Sequence, residues 1–162
     1  MSSQIQLLDC TLRDGAYIVD SMFGEPAIKG IIKKLEEANI DIIECGWLKN
    51  KKHERGSTFF HVPDDIKKYF GKKNQTNILV AMIDWDRYDL SQLPPYDGES
   101  IDAIRVVFPQ EHFKDGIALG KIISDKGYKV FFQAANTLGY KDEELVALAQ
   151  EVNKIRPIAL SI

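Results

Sequence analysis

The fold of this chain is decided by the stretch Leu8-Asp9-Cys10-Thr11-Leu12-Arg13-Asp14-Gly15-Ala16-Tyr17. The apolar run Ile5–Leu8 leads into this stretch, contains no turn residue and predicts a buried β-strand. A charged pair, Arg13 and Asp14, follows the strand and is itself followed by Gly15. Charged side chains and a glycine just beyond a buried strand are typical of a functional loop on a rigid scaffold. The stretch therefore predicts a strand that delivers Arg13 and Asp14 to a site.

A second motif lies thirty residues after Asp14. The segment Asp41-Ile42-Ile43-Glu44-Cys45-Gly46 is another apolar strand that ends on a carboxylate and a glycine, and the helical pattern of Ala27–Ala38 separates it from the first strand. Two strands joined by a helix are parallel, and the connection between them is right-handed. Asp14 and Glu44 are therefore expected to leave neighbouring strands at the same edge and to form one cluster.

The two motifs together resemble those of a known enzyme superfamily. Asp-x-Thr-Leu-Arg-Asp-Gly at residues 9–15, followed by Ile-Glu-x-Gly at residues 43–46, is similar to the pattern of the DRE-TIM metallolyases. That superfamily includes 3-hydroxy-3-methylglutaryl-CoA lyase (HMG-CoA lyase), the isopropylmalate and homocitrate synthases, and 4-hydroxy-2-oxovalerate aldolase. With Tyr17 two residues after the glycine, the first motif is most similar to the aldolase branch. Beyond the first two strands the resemblance is architectural.

The alternation of strands and helices continues to the end of the chain. Further strands are predicted at Asn77–Ile83, Ile101–Phe108, Lys129–Ala134 and Pro157–Ile162, and further helices at Pro63–Phe70, Phe113–Lys126 and Lys141–Lys154. Nearly continuous apolar strands alternating with helices predict an α/β fold with a parallel sheet. Because a (β/α)₈ barrel needs eight strands and about 250 residues, residues 1–162 are expected to be the N-terminal part of an incomplete TIM barrel, with about six of its eight strands.

Composition excludes several classes of protein. A chain of 162 residues with 44% hydrophobic residues suits one globular domain. The net charge is -3 and the basic residues are dispersed, which argues against a nucleic-acid-binding protein. No apolar run approaches the length of a membrane span, so a cytoplasmic protein is expected. The spacing of Cys10 and Cys45 matches no zinc pattern, and two reduced thiols are favoured over a disulfide between them.

The resemblance implies that Asp14 binds a divalent cation, Mn²⁺ or Mg²⁺, together with two histidines of a His-x-His motif. This sequence contains no His-x-His motif. Its three histidines, His53, His61 and His112, stand alone in predicted loops or helix starts and are expected to be surface residues. The remaining metal ligands are expected beyond residue 162. The alternative for Asp14 is a turn residue that precedes Gly15.

The resemblance also implies catalytic roles for neighbouring residues. Carbon–carbon cleavage of this kind passes through an enolate, and the permanent charge of Arg13 would stabilise the developing oxyanion. Glu44 is expected to orient Arg13 through a salt bridge, which is also the purely structural interpretation of the pair. Tyr17 stands where the aldolases carry an acid/base histidine, so it is a candidate proton donor.

Two residues on later strands are candidate substrate contacts. Arg105 lies in the middle of an apolar strand, where an unpaired charge would be costly, so it needs a partner. Glu44 or a substrate carboxylate would serve, and a structural ion pair is the alternative. Gln133 lies at the end of the fifth predicted strand, at the same edge, and is followed by Asn136.

The function implied by the resemblance is that of a metal-dependent carbon–carbon lyase. In the full-length protein it would cleave a 4-hydroxy-2-oxo acid to pyruvate and an aldehyde, with a small-molecule 2-oxo acid as its binding partner. One alternative is an acyl-CoA Claisen condensation enzyme of the isopropylmalate synthase type, and another is a non-catalytic barrel domain. The 162-residue chain alone is expected to be inactive. Its open sheet edges predict a homo-oligomer.

Overall fold

The computed structural model of the chain describes residues 5–73 and 75–162. The described part contains seven strands and five α-helices. The strands are β1 (Leu8–Asp9), β2 (Ile42–Leu48), β3 (Phe59–Phe60), β4 (Ile78–Asp84), β5 (Ala103–Phe108), β6 (Lys129–Ala134) and β7 (Ala159–Ser161). The helices are α1 (Thr11–Asp14), α2 (Glu25–Glu37), α3 (Pro63–Lys67), α4 (Phe113–Asp125) and α5 (Asp142–Ile155). Every predicted helix therefore forms, with ends shifted by a few residues.

The chain divides into two compact units, and the division falls inside β4. The first unit contains the described residues up to Ala81 together with Asp97–Asp102, and its strand order is β1-β2-β4, with β3 beside β2. The second unit contains Met82–Tyr96 and Ala103–Ile162, and there the end of β4 is followed by β5-β6-β7. The registered pairs β1–β2, β2–β3, β5–β6 and β6–β7 are all parallel. Parallel strands that follow chain order confirm the predicted α/β fold, an incomplete TIM-type barrel.

The first strand is displaced from its predicted position. Strand pairing begins at Leu8, which lies opposite Ile42, and Asp9 lies opposite Ile43. The preceding residues are not buried, since Ile5 is 85% and Leu7 58% exposed. The prediction of a buried strand over Ile5–Leu8 is therefore wrong. An apolar run shows which side chains could be buried, but residues ahead of the pairing gain no cover from a neighbouring strand.

In the second unit, α4 packs closely on the sheet through two glycines. A Cβ atom on Gly116 would lie 2.2 Å from the ring of Phe108, and one on Gly120 would lie 2.3 Å from the ring of Phe132. The two phenylalanine rings are fully buried, with centroids 5.9 Å apart. Glycines one helical turn apart therefore let the aromatic core of this unit reach the helix backbone.

In the first unit, hydrogen bonds and an ion pair join the segment Asp97–Asp102, which follows β4 in the sequence, to β4 and to the loop before β4. The Asp102 N–H donates to the Leu79 carbonyl at 2.8 Å, and the Leu79 N–H donates to Asp102 Oδ2 at 2.9 Å. Lys73 Nζ lies 2.6 Å from Asp102 Oδ1 in an ion pair whose side chains are only 16% and 13% exposed. This largely buried carboxylate thus has both charged and backbone partners, as a buried charge requires.

The helix starts are explained by local electrostatics. The Glu144 carboxylate accepts the Lys141 N–H at 2.7 Å, and acidic residues in the first turn of α5 complement the positive end of the helix dipole. In α2, Lys29 pairs with Glu25 one turn earlier at 2.6 Å. None of the helices in the described part has both the length and the apolar character that a membrane span requires.

Candidate active site

The Arg-Asp pair lies on a single helical turn, α1, that directly follows β1. Asp9, the last residue of β1, holds this turn in place. Its Oδ1 accepts the Thr11 N–H and its Oδ2 accepts the Thr11 hydroxyl, both at 3.0 Å. Asp9 and Thr11 therefore shape the turn that carries Arg13 and Asp14.

The turn brings Arg13 into contact with two carboxylates. Its Nε donates to Glu44 Oε2 at 2.7 Å, and its Nη1 donates to Asp14 Oδ1 at 2.7 Å. The three side chains differ in burial: that of Glu44 is 0% exposed, that of Arg13 15% and that of Asp14 63%. The three residues that the two sequence motifs predicted to form one cluster thus meet in the first unit.

This environment keeps Arg13 charged and oriented. Burial alone lowers the pKa of Arg13, but the charge of Glu44 and its hydrogen bond outweigh burial, so the pKa is raised. Within residues 5–73 and 75–162, the Nη2 group of Arg13 makes no hydrogen bond. Because Nε and Nη1 are held by carboxylates, Nη2 is the edge of the guanidinium that can bind a ligand oxygen.

The ring of Trp47 and the ammonium group of Lys49 lie near this cluster. The Arg13 guanidinium carbon lies 6.0 Å from the centroid of the Trp47 ring, and Lys49 Nζ lies 4.1 Å from the same ring. Trp47 is buried, and Lys49 is the first residue after β2. The sequence prediction missed both residues. Their spacing of two in a strand, which places them on one face at its carboxyl end, was the available signal.

The backbone conformation and the close packing at position 46 require a glycine, and Gly46 is the glycine of the second motif. Its φ is +147°, and a Cβ atom there would lie 2.2 Å from the Thr58 carbonyl oxygen. The same carbonyl accepts the Trp47 N–H at 3.0 Å. Gly46 thus allows the segment that contains β3 to approach β2, next to the strand position of Glu44.

Tyr17 is not part of the cluster. It ends a short 3₁₀ turn, Gly15–Tyr17, and its side chain is 70% exposed. No hydrogen bond links its hydroxyl to Arg13, Asp14 or Glu44 in the part of the chain that the structure describes. Its role as an acid/base residue stays a prediction.

The described residues do not complete a metal site. Asp14 is exposed enough to supply one oxygen ligand, although Arg13 already binds its Oδ1. Across residues 5–73 and 75–162, no group of three or more His, Cys, Asp or Glu side chains could hold a metal ion. A hard dication prefers several oxygen ligands, so a metal bound at Asp14 would need ligands from elsewhere.

The prediction of three surface histidines is wrong for His53 and His61, which are partly buried, whereas the side chain of His112 is 39% exposed. His53 Nδ1 lies 2.9 Å from the Phe59 carbonyl oxygen, and its Nε2 lies 2.8 Å from the Tyr69 hydroxyl. His61 Nδ1 lies 3.3 Å from the carbonyl oxygen of Lys49. His112 stacks on Trp85 with ring centroids 3.8 Å apart, and its Nδ1 lies 3.0 Å from Asp115. Sequence spacing alone does not show such partners, because several of them come from other elements.

In the second unit, Arg105 and Gln133 form a pair. Arg105 is 6% exposed, and its Nη2 donates to Gln133 Oε1. The pairing follows from register, because β5 and β6 are parallel and Gln133 lies opposite Val107, two residues after Arg105. The amide oxygen of Gln133 is one partner of Arg105. Contacts of Arg105 and Gln133 with substrate stay predictions. Asn136 adopts a left-handed conformation with φ +56° beyond β6.

Both cysteines are free thiols, as the sequence predicts. Cys45 lies on β2 between Glu44 and Gly46 and is 0% exposed. Burial raises the pKa of Cys45 to about 12, and the nearby charge of Glu44 adds to the shift. This thiol is therefore an inert core group rather than a nucleophile.

We expect the elevated pKa of Cys45 to appear in the pH dependence of stability. Between about pH 9 and pH 12 the unfolded thiol is ionised while the folded thiol keeps its proton, so stability falls by up to about 1.4 kcal/mol per pH unit. The measurement compares the free energies of unfolding of wild type and Cys45→Ala by urea titration across this range. Identical pH profiles for the two proteins would contradict the assignment.

Comparisons with known proteins support the fold. Neither the protein-family models nor the curated proteins give a match to this sequence. Among solved structures, the chain is similar to a crystal structure of the N-terminal domain of a "putative aldolase" from Bacteroides vulgatus, with a TM-score of 0.62 and 20% sequence identity. The match covers 98% of this chain and 62% of that chain. The chain thus spans less than two thirds of the similar structure, and the likeness extends to the fold.

Proposed function

We propose that the full-length protein is an aldolase of the DRE-TIM type, which cleaves a 4-hydroxy-2-oxo acid to pyruvate and an aldehyde. The observation that carries the proposal is the Arg13–Glu44–Asp14 cluster, because it places a permanently charged guanidinium on a turn after a strand of a TIM-type sheet. Loops and turns at the carboxyl ends of the strands are where catalytic residues of this fold lie. The likeness to the N-terminal domain of an aldolase-named protein supports the same reaction class.

In the proposed reaction, a base removes the proton of the 4-hydroxyl group and the bond between C3 and C4 breaks. The aldehyde leaves with the hydroxyl oxygen as its carbonyl, and the bonding electrons pass into a pyruvate enolate that is then protonated at C3. Arg13 Nη2 stabilises the negative oxygen on C2 of this enolate. Glu44 keeps the guanidinium in place, so little reorganisation is needed as charge develops.

A divalent cation, Mn²⁺ or Mg²⁺, is part of the proposal, with Asp14 as one of its ligands. When bound, the cation would supply Lewis-acid polarisation of the 2-oxo acid. The other ligands would come from outside residues 5–73 and 75–162. The 162-residue chain alone is expected to lack activity.

The test separates the roles of Asp14 and Arg13 in the full-length protein. Asp14→Asn should weaken Mn²⁺ binding by about 10-fold or more, because a carboxylate ligand is lost. Arg13→Lys should leave Mn²⁺ binding nearly unchanged and lower kcat by about 100-fold, because lysine keeps the charge and loses the planar donors. Calorimetry measures Mn²⁺ affinity, and pyruvate release from 4-hydroxy-2-oxovalerate, coupled to lactate dehydrogenase, measures turnover.

Two results would contradict the proposal. Equal Mn²⁺ affinity of wild type and Asp14→Asn would remove Asp14 from the metal ligands. Absence of metal-dependent pyruvate release by the wild-type full-length protein, tested over a series of 4-hydroxy-2-oxo acids, would reject the aldolase reaction itself.

A further inference from the structure

Lys49 is held at the carboxyl end of β2, the strand that carries Glu44. Its N–H donates to the Phe60 carbonyl at 2.8 Å, so the backbone is fixed by the segment that contains β3. Its ammonium group lies 4.1 Å from the ring centroid of Trp47 and 5.8 Å from that of Phe59. Cation–π contacts of this kind confine a side chain that otherwise has many rotamers. The ammonium group of Lys49 is therefore positioned in advance of any ligand.

Arg13 and Lys49 share one aromatic ring. Since the Arg13 guanidinium carbon lies 6.0 Å and Lys49 Nζ 4.1 Å from the Trp47 centroid, the two cationic groups are no more than about 10 Å apart. Both cationic groups pack against an indole that is only 5% exposed. Two cations within this distance suit a small molecule with an anionic group at each end of a short carbon chain.

Only one of the two cations is used by the proposed cleavage. Glu44 and Asp14 hold Arg13, which binds the developing enolate oxygen in the proposed reaction. A second anionic group of the substrate therefore needs another cation. Lysine provides a compact point charge for a carboxylate. Lys49 lies in the same unit as Arg13 and next to the same ring.

We propose that Lys49 is a specificity-determining residue that binds the distal carboxylate of a dicarboxylic substrate. The inference rests on the proposed aldolase function and names its substrate class, a 4-hydroxy-2-oxo dicarboxylic acid rather than a 4-hydroxy-2-oxo monocarboxylic acid. The Trp47 ring helps to position both cationic groups.

The experiment uses two unreactive probes of equal chain length, 2-oxoglutarate and 2-oxopentanoate, which differ in a distal carboxylate or methyl group. Calorimetry with the full-length protein and MnCl₂ should show that 2-oxoglutarate binds about 10-fold or more tightly than 2-oxopentanoate. Lys49→Met should abolish this preference and leave 2-oxopentanoate affinity nearly unchanged, whereas Lys49→Arg should keep the preference. Lys52→Met, which removes an exposed lysine three residues away, is the matched control and should behave as wild type.

A kinetic readout accompanies the binding data. The ratio of kcat/KM for 4-hydroxy-2-oxoglutarate to that for 4-hydroxy-2-oxovalerate should fall about 10-fold or more in Lys49→Met, mainly through KM. Equal binding of the two probes by wild type, or an unchanged preference in Lys49→Met, would overturn the role of Lys49 while pyruvate release still supports the aldolase. Failure of the wild-type protein both to bind either probe and to release pyruvate would overturn the role of Lys49 together with the aldolase proposal.

Discussion

Gly46→Ala is expected to lower the free energy of unfolding by about 3 kcal/mol or more. Two costs combine, because alanine is strained at φ +147° and its Cβ would lie 2.2 Å from the Thr58 carbonyl oxygen. The Thr58 oxygen cannot withdraw without loss of its hydrogen bond from the Trp47 N–H. Urea denaturation followed by tryptophan fluorescence measures the change.

Gly30→Ala is the matched control for this prediction. Gly30 lies on the exposed face of α2, and an added Cβ there would have no neighbour within 4 Å. Alanine favours the helix, so this variant should be more stable than wild type by about 0.5–1 kcal/mol. If Gly46→Ala is as stable as wild type while Gly30→Ala behaves as expected, the close approach at Gly46 is not a constraint on the fold.

The second large effect is expected for Glu44→Leu, which leaves the Arg13 guanidinium without its buried partner. Because the side chain of Arg13 is only 15% exposed, this variant should lose about 3–5 kcal/mol of stability. In the full-length protein it should also lose aldolase turnover, since Arg13 would no longer be oriented. Thermal and urea denaturation measure the first effect, and pyruvate release measures the second.

The double variant Arg13→Met/Glu44→Leu distinguishes an unpaired charge from a damaged core. With both charges removed, apolar packing can replace the ion pair, and the double variant should be more stable than Glu44→Leu by about 1–4 kcal/mol. It should remain inactive, because the enolate would have no cation. A double variant less stable than Glu44→Leu would show that Glu44 supports the fold through other contacts.

The sequence predicted the α/β fold and the Arg13–Glu44 pair because both depend on local pattern and on the handedness of a strand–helix–strand connection. β2 begins one residue after its predicted start, at Ile42. The predicted strand at Ile5–Leu8 was wrong, because hydrophobicity does not reveal where a partner strand begins.

Other side-chain contacts join residues that are distant in the sequence. Trp85 and His112 stack although twenty-seven residues separate them, and no repeating pattern connects the two. Similarly, the contact between Lys49 and Phe59 depends on β3, a two-residue strand too short to give a periodic signal. Sequence patterns locate elements, whereas such side-chain partners follow from the packing of several elements.

The segment Asp97–Asp102 also affects how the chain folds during synthesis. The first unit holds this late segment through Asp102, which binds Leu79 and Lys73. On the ribosome, the residues up to Ala81 emerge before Asp102 has been synthesised. Lys73 therefore cannot yet form its ion pair with Asp102. Domains generally fold as units during translation. The ion pair between Lys73 and Asp102 can therefore form only after residue 102 has left the exit tunnel, when part of the second unit has already been synthesised.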